Sequence, residues 1–234
     1  MRKKSLLLLL LTVVLAIMLA PRLASSQDIP VVGTQPLPCT APVGTNFDVN
    51  ITVADVEDLY GWILNVTFNP TVLEVVEMVE GPFLLDFADS LGIYTWPLGP
   101  LFGDGWVQMS DTLFSFDPIP DGADGDGVLA TITFEVLTYG TSPLHFLDQT
   151  DLTTNVGGLP VPIEPIDMID GYFRLLLGDI NSDGIVAVKD LRILGKAYGT
   201  ALGQPSYNPD ADLNKDDAVN HADLTIFSNN YGKT

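Results

Sequence analysis

From Phe47 to Val53 the chain reads FDVNITV, apolar and polar side chains alternating with a period of two. Successive side chains of a strand point to opposite faces, so this alternation predicts a strand with one face buried and one in water. The pattern returns in WILNVTF (62–68), WVQMS (106–110), LATITFEV (129–136), PLHF (143–146) and YFRLLL (172–177). Turn-forming residues separate the segments, among them Asn69-Pro70, Gly99-Pro100 and Gly140. With no helical period between them, the segments predict an antiparallel β-sandwich of two sheets. At about 150 residues, such a unit can bury its own core. Trp62 falls on the apolar phase of its strand and is expected inside, whereas His145, between Leu144 and Phe146, is expected outside and has no Ser or Cys nucleophile context.

After Leu177 the spacing becomes helical and a repeat appears at an offset of 33 residues, DINSDGIVAVKDLRILGKAYG (179–199) over DLNKDDAVNHADLTIFSNNYG (212–232), with nine of 21 positions identical. Duplication is the economical explanation. Each copy reads as a carboxylate-rich loop followed by a short amphipathic helix, with Gly199 and Gly232 suited to the left-handed stop. The fold is therefore expected to be mostly β with a small α domain, the boundary lying between residues 27–177 and 178–234.

The spacing of the repeats points to calcium. This hard cation takes six to eight oxygens, and a 12-residue loop supplies them from positions 1, 3, 5, 7, 9 and 12. Loop one offers Asp179, Asn181, Asp183, the carbonyl of Ile185 and Asp190; loop two offers Asp212, Asn214, Asp216, the carbonyl of Ala218, Asn220 and Asp223. Two ions are expected. Position 9 of loop one is Ala187, so water must stand in there. Position 6 of loop two is Asp217, which enters the left-handed region at a cost of about 1 kcal/mol, while loop one has Gly184. Asp at position 12 has a shorter reach than Glu and suits a structural site rather than a switch.

Residues 1–26 place the protein. Arg2, Lys3 and Lys4 precede an apolar run from Leu6 to Ala20, and Ala24-Ser25-Ser26 fits a small-residue cleavage site, which together read as a secretory signal. The run is too short for a spanning helix, and no second run of that length follows, so a secreted or cell-surface protein without a transmembrane anchor is expected. The whole chain carries 30 Asp and Glu against 10 Lys and Arg; without the signal the charge is −24. Residues 27–177 hold 22 of the acids and one base, Arg174, whereas residues 178–234 hold eight acids and five bases. Such a field repels polyanions and excludes nucleic-acid binding. The single Cys39 excludes an intrachain disulfide framework, and after Pro38 it reads as a packing residue or a stray thiol.

Residues 178–234 resemble the dockerin domain, whose duplicated loop-helix repeats bind two calcium ions and dock onto a cohesin domain. Upstream, Tyr60-Gly61-Trp62, NPTVLEV (69–75) and GDGVLATITF (125–134) resemble cohesin itself, a jelly-roll sandwich and the partner of dockerins. The resemblance implies a non-catalytic, calcium-dependent assembly protein, whose partners are cohesin- or dockerin-bearing proteins and which is linked to polysaccharide degradation or cell-surface assemblies. It also implies that positions 10 and 11 of each loop, Val188 and Lys189 in repeat one and His221 and Ala222 in repeat two, set partner choice. Because they begin the helix just after each loop, Val188, Lys189, Leu191 and Arg192, or their counterparts His221, Ala222, Leu224 and Thr225, are the expected contact surface. The Ser-Thr pair that many dockerins carry there is replaced by Val188-Lys189 and His221-Ala222.

Receptor and plug on one chain also allow head-to-tail self-assembly, and Gly178 alone joins them. A carbohydrate-binding or adhesive surface protein is the alternative class, with Trp96 as the exposed aromatic; a dockerin-tagged glycoside hydrolase lacks a motif pairing two carboxylates. DGADGDG (121–127) reads as a turn before a strand, a third cation site being the alternative. Asn50-Ile51-Thr52 and Asn65-Val66-Thr67 are sequons on polar strand phases, open to glycosylation.

Overall fold

The computed structural model describes residues 29–37, 39–116 and 121–234, so the expected signal segment lies outside the described residues. The elements are β1 (Val31–Gln35), β2 (Asn46–Leu59), β3 (Gly61–Thr67), β4 (Leu73–Glu80), α1 (Pro82–Leu91), β5 (Tyr94–Thr95), β6 (Leu98–Gly103), β7 (Trp106–Phe114) and β8 (Ala123–Val136). They continue with β9 (Gly140–Phe146), β10 (Asp151–Val156), β11 (Leu159–Pro162), β12 (Asp167–Ile169), β13 (Gly171–Leu175), α2 (Val188–Ala197), β14 (Thr200–Ala201), β15 (Ala218–Val219) and α3 (His221–Asn230).

Sheet one has the order β12-β1-β2-β8-β4; sheet two runs β11-β10-β3-β7, with β5 and β6 beyond β7 and β9 joining β3 to β13. The ladders are antiparallel except for β1 and β12. Between the sheets lies one core in which Trp62, Phe134 and Phe173 are the largest fully buried side chains, and Phe47 stacks on both Phe134 and Phe173. The expected two-sheet sandwich is therefore present, with Trp62 inside.

Three local features escape a period-two reading. In β2 the buried positions run Val49, Ile51, Val53 and then Val56 and Leu59, because the pairing shifts between Val53 and Val56 and again between Val56 and Leu59, and Asp55 and Asp58 sit at φ 55° and 57° in the left-handed region. The amides of these two residues donate to Asp126 Oδ1 (2.8 Å) and Asp124 Oδ1 (2.7 Å). DGADGDG is thus the approach to and start of β8, and its carboxylates satisfy donors of the bulged strand opposite.

A helix, α1, interrupts the sandwich where none was expected. Pro82 opens it, where a missing N–H costs nothing, Leu84 and Ala88 bury its inner face, and Gly92 closes it at φ 68°. The third feature lies in the core. Asp111 of β7 is 3% exposed opposite Trp62, and its carboxyl meets that of Glu80 at the end of β4. Burial first, then the hydrogen bond and charge of Glu80, push the Asp111 pKa up to about 8. Asp111 Oδ2 and Glu80 Oε1 have no other partner, so one shared proton satisfies both.

Two smaller expectations are resolved. Cys39 is buried, its thiol directed at the Pro36 carbonyl, and burial raises its pKa to about 11, so it packs rather than reacts. Asn65 is not open to glycosylation, being 8% exposed with Nδ2 donating to the Gln149 carbonyl.

Candidate metal centres and docking surfaces

The two repeats fold into loops that match bond for bond. In loop one Asp179 accepts the amides of Asp183 (3.1 Å) and Gly184 (2.8 Å), Asn181 accepts Asp183 (3.1 Å), and Asp183 accepts Ile185 (3.3 Å). In loop two Asp212 accepts Asp216 (3.2 Å) and Asp217 (2.9 Å), Asn214 accepts Asp216 (3.3 Å), and Asp216 accepts Ala218 (3.1 Å). Each bond draws a carboxylate or amide oxygen over a tightening turn, with the tightest positions at positive φ. These are Ser182 (56°) and Gly184 (85°) in loop one, Lys215 (60°) and Asp217 (67°) in loop two. Asp217 does enter the left-handed region, as position 6 requires.

Position 12 closes each loop from inside. Asp190 and Asp223 are both fully buried. Asp190 accepts the amides of Ile180, Asn181 and Ala187, and Asp223 those of Leu213, Asn214 and Asn220. A carboxylate at the helix start that bonds back to the preceding amide also holds the first turn. In loop one, Asp179, Asp183 and Asp190 each bring an oxygen within 4.8 Å of the others. Oxygens bound to one Ca²⁺ at about 2.4 Å lie no farther apart than that, so this donor set fits the ion.

Other neighbours modify the loops. Lys189 pairs with Asp183 at 2.8 Å, which lowers the Asp183 pKa and raises that of Lys189; both groups are solvent-exposed, so the pair is a weak one. Burial raises the pKa of Asp179. In loop two Asn220 turns its Oδ1 to the amide of Ala222, capping α3, and its Nδ2 to the Ala218 carbonyl, while Tyr207 donates to Asp212 (2.8 Å). The expected position-9 side chain therefore has a second task as helix cap.

Val186 and Val219, four residues before each closing carboxylate, are fully buried in a second, smaller core with Leu194, Ala197, Ala211, Leu213 and Phe227. The exchange between repeats is reciprocal: Gly232 donates to the Val186 carbonyl and Gly199 to the Val219 carbonyl, each at 2.8 Å. Leu176 and Leu177, just after β13, pack on this core, so the sandwich runs into the repeats without a linker. Arg174 Nη1 donates across the junction to the Gly184 carbonyl (3.1 Å).

The helix-start residues named from the repeats are accessible. Val188 is 65% exposed and Leu191 38%; Lys189, Arg192, His221, Ala222 and Thr225 are exposed, and Leu224 is half-buried. On the sandwich, the register lines up Leu98, Ser110, Ile63 and Asp151 in one outward row of sheet two, with Leu101 and Gln108 in the next. Leu98 and Leu101 are nearly 60% exposed there, beside Trp106. Trp96 is half exposed and meets Phe114 edge to face. His145 lies outside and pairs with Asp170 at 2.6 Å.

Comparisons with known proteins agree with this division. Residues 39–156 match the cohesin domain, and residues 177–230 match the dockerin type I domain. No curated protein sequence matches significantly. Among solved structures, a type II cohesin domain from the cellulosome of Acetivibrio cellulolyticus is 19% identical, covering 63% of this chain and 96% of its own, with a TM-score of 0.50. A non-cellulosomal cohesin from the archaeon Archaeoglobus fulgidus is 17% identical over 64% of this chain and 92% of its own, with a TM-score of 0.47. The third cohesin of ScaC from Acetivibrio cellulolyticus, solved in complex with the ScaB dockerin, is 18% identical over 63% of this chain and 99% of its own, with a TM-score of 0.48.

Proposed function

Since the chain belongs to the cohesin family and joins a cohesin domain to a type I dockerin domain, both non-catalytic modules of cohesin–dockerin assemblies, we propose that it is an exported adaptor. Its sandwich is the receptor for dockerin-bearing proteins and its repeats plug into cohesin-bearing ones. One observation carries this reading: the outward apolar face of sheet two and the helix starts of both repeats are uncovered, so neither module occupies the other's contact surface. Exposed apolar groups held on rigid strands and on capped helices are what a protein partner buries first.

In this reading two calcium ions are held by Asp179, Asn181, Asp183, the Ile185 carbonyl and Asp190, and by Asp212, Asn214, Asp216, the Ala218 carbonyl, Asn220 and Asp223. The bound ion supplies the positive charge that lets these carboxylates crowd together. The chain supplies the amides that aim them, and the buried Asp190 and Asp223 link each loop to the helix bearing the contact residues. Val188, Lys189, Leu191 and Arg192, or their counterparts His221, Ala222, Leu224 and Thr225, are the contact residues. Among the described residues no helix is long and apolar enough to cross a membrane, and in this reading residues 1–26 serve as the export signal.

A calcium-dependent pull-down from the secretome of the source organism tests the adaptor reading. Capture of a cohesin- or dockerin-bearing protein in calcium, lost in EDTA, is the expected result; capture indifferent to calcium would overturn it. The exposure of Trp96 favours a second reading in which the sandwich also binds glycan, beside polysaccharide-degrading partners. Retention on insoluble polysaccharide that is lost in Trp96→Ala is its signature.

A further inference from the structure

The two repeats are alike in their loops but not on their helices. On α2, Lys189, Arg192 and Lys196 follow at i, i+3 and i+7, which places them on one side of the helix, and all three are exposed. They are half of the six Lys and Arg that residues 27–234 contain. Gly195, between them, has open space where a side chain would stand, so another surface can approach the backbone. The equivalent positions of α3 are Ala222, Thr225 and Asn229, also exposed and without charge.

At the edge of sheet two, next to the outward row, a groove of about 700 Å³ is lined by Asp148, Asp151 and Glu164 together with Ile63 and Met168, and by no Lys or Arg. Burial, with the charge of Glu164 adding to it, raises the pKa of Asp151, which marks a group that gains from an opposing cation. The cations of α2 lie exposed, so the chain's own groove does not receive them. A groove of one sign and a stripe of the other, which do not meet within one chain, match between two chains.

We propose that repeat one, and not repeat two, is the docking face of the plug, and that Arg192 and Lys196, with Lys189 beside them, seat against the Asp148–Asp151–Glu164 groove of a second copy. This rests on the assembly reading above and gives it a partner, a single orientation and an electrostatic basis. Because stripe and groove are different surfaces, the contact is heterologous and extends chains head to tail rather than closing a dimer.

Sedimentation of the chain lacking residues 1–26, in calcium, tests the proposal. The mass should rise with protein concentration and fall as salt shortens the screening length. Arg192→Glu with Lys196→Glu should weaken association by about a hundredfold or more, since like charges then face each other. Asp148→Lys with Glu164→Lys should do the same, and mixing the two variants should restore association, because the native stripe of one then meets the native groove of the other and the two reversed surfaces also attract. Ser228→Glu with Asn229→Glu, on the other helix, should leave it unchanged. Calcium uptake and circular dichroism of each variant report whether it is folded, and the restored pairing would itself demonstrate folded partners.

A chain that stays monomeric at every concentration with both loops filled would overturn the proposal. So would association indifferent to the α2 reversal, or lost in the α3 variant. If such a monomer still captures a different protein in calcium, the adaptor reading stands and this inference alone falls; if it captures nothing, both fall.

Discussion

The two halves of the molecule are held together in different ways. Among the described residues the sandwich buries thirty hydrophobic residues in one core, while the repeat module buries seven and places three carboxylates, Asp190, Asp212 and Asp223, inside. The first is of a size that folds on apolar burial alone. The second is not, because seven buried side chains, one of them aromatic, cannot offset the ordering of a unit of this size, and a buried carboxylate is costly unless amides and a cation balance it. The comparison teaches that charge serves opposite ends in the two halves. In the sandwich burial favours the neutral form of Asp111, whereas in the loops Asp190 and Asp223 each accept three backbone amides.

Substitutions sharpen the contrast. Phe134→Ala should have the largest effect on stability, costing the sandwich about 3–5 kcal/mol by opening a cavity under Phe47 and Phe68, as read by thermal unfolding. The calcium response of the repeats should survive it in whatever fraction remains folded. Asp179→Ala should do the reverse. It should weaken calcium at loop one by more than the roughly 10–100-fold that loss of a supporting contact costs, with the sandwich transition unmoved in calorimetry.

Asp111 separates the halves by pH. Its folded pKa, about 8, stands above the ordinary 3.8, so the folded sandwich holds a proton that the unfolded chain releases. Stability from this group is fully present below about pH 4 and is lost progressively as the pH rises towards 8. Asp111→Asn should flatten that loss and raise the melting temperature on the alkaline side; an unchanged profile would mean that Asp111 titrates as an ordinary carboxylate. The smallest effect is expected at the junction, where Arg174→Ala should cost about 1 kcal/mol and loosen the relative orientation of the modules, measured by residual dipolar couplings.

Legibility in the sequence divides along the same line. The repeats were read in detail because metal ligation places fixed residue types at fixed positions, so Asp179 and Asp212 could be set in register and even the strained Asp217 anticipated. The sandwich was read as a class but not in its irregularities. Asp55 and Asp58 reset the phase of β2 through positive φ, which period-two counting cannot register. The turn reading of DGADGDG holds, but what Asp124 and Asp126 do there was not legible, because their partners, amides on β2, are some seventy residues away in sequence. The helix α1 is short and begins at Pro82, so its apolar face rests on Leu84 and Ala88 alone among fully buried residues. The Asp111–Glu80 pair and the Arg174 bridge carry no local signal at all, because each arises only when distant strands or modules meet.

Titration of the metal-free chain with calcium, followed by calorimetry and by circular dichroism on the same sample, tests the central claim most directly. Two ions bound, helix gained as they bind, and a sandwich transition at the same temperature before and after are the predicted result. Fewer than two ions, or a helical signal indifferent to EDTA, would contradict it.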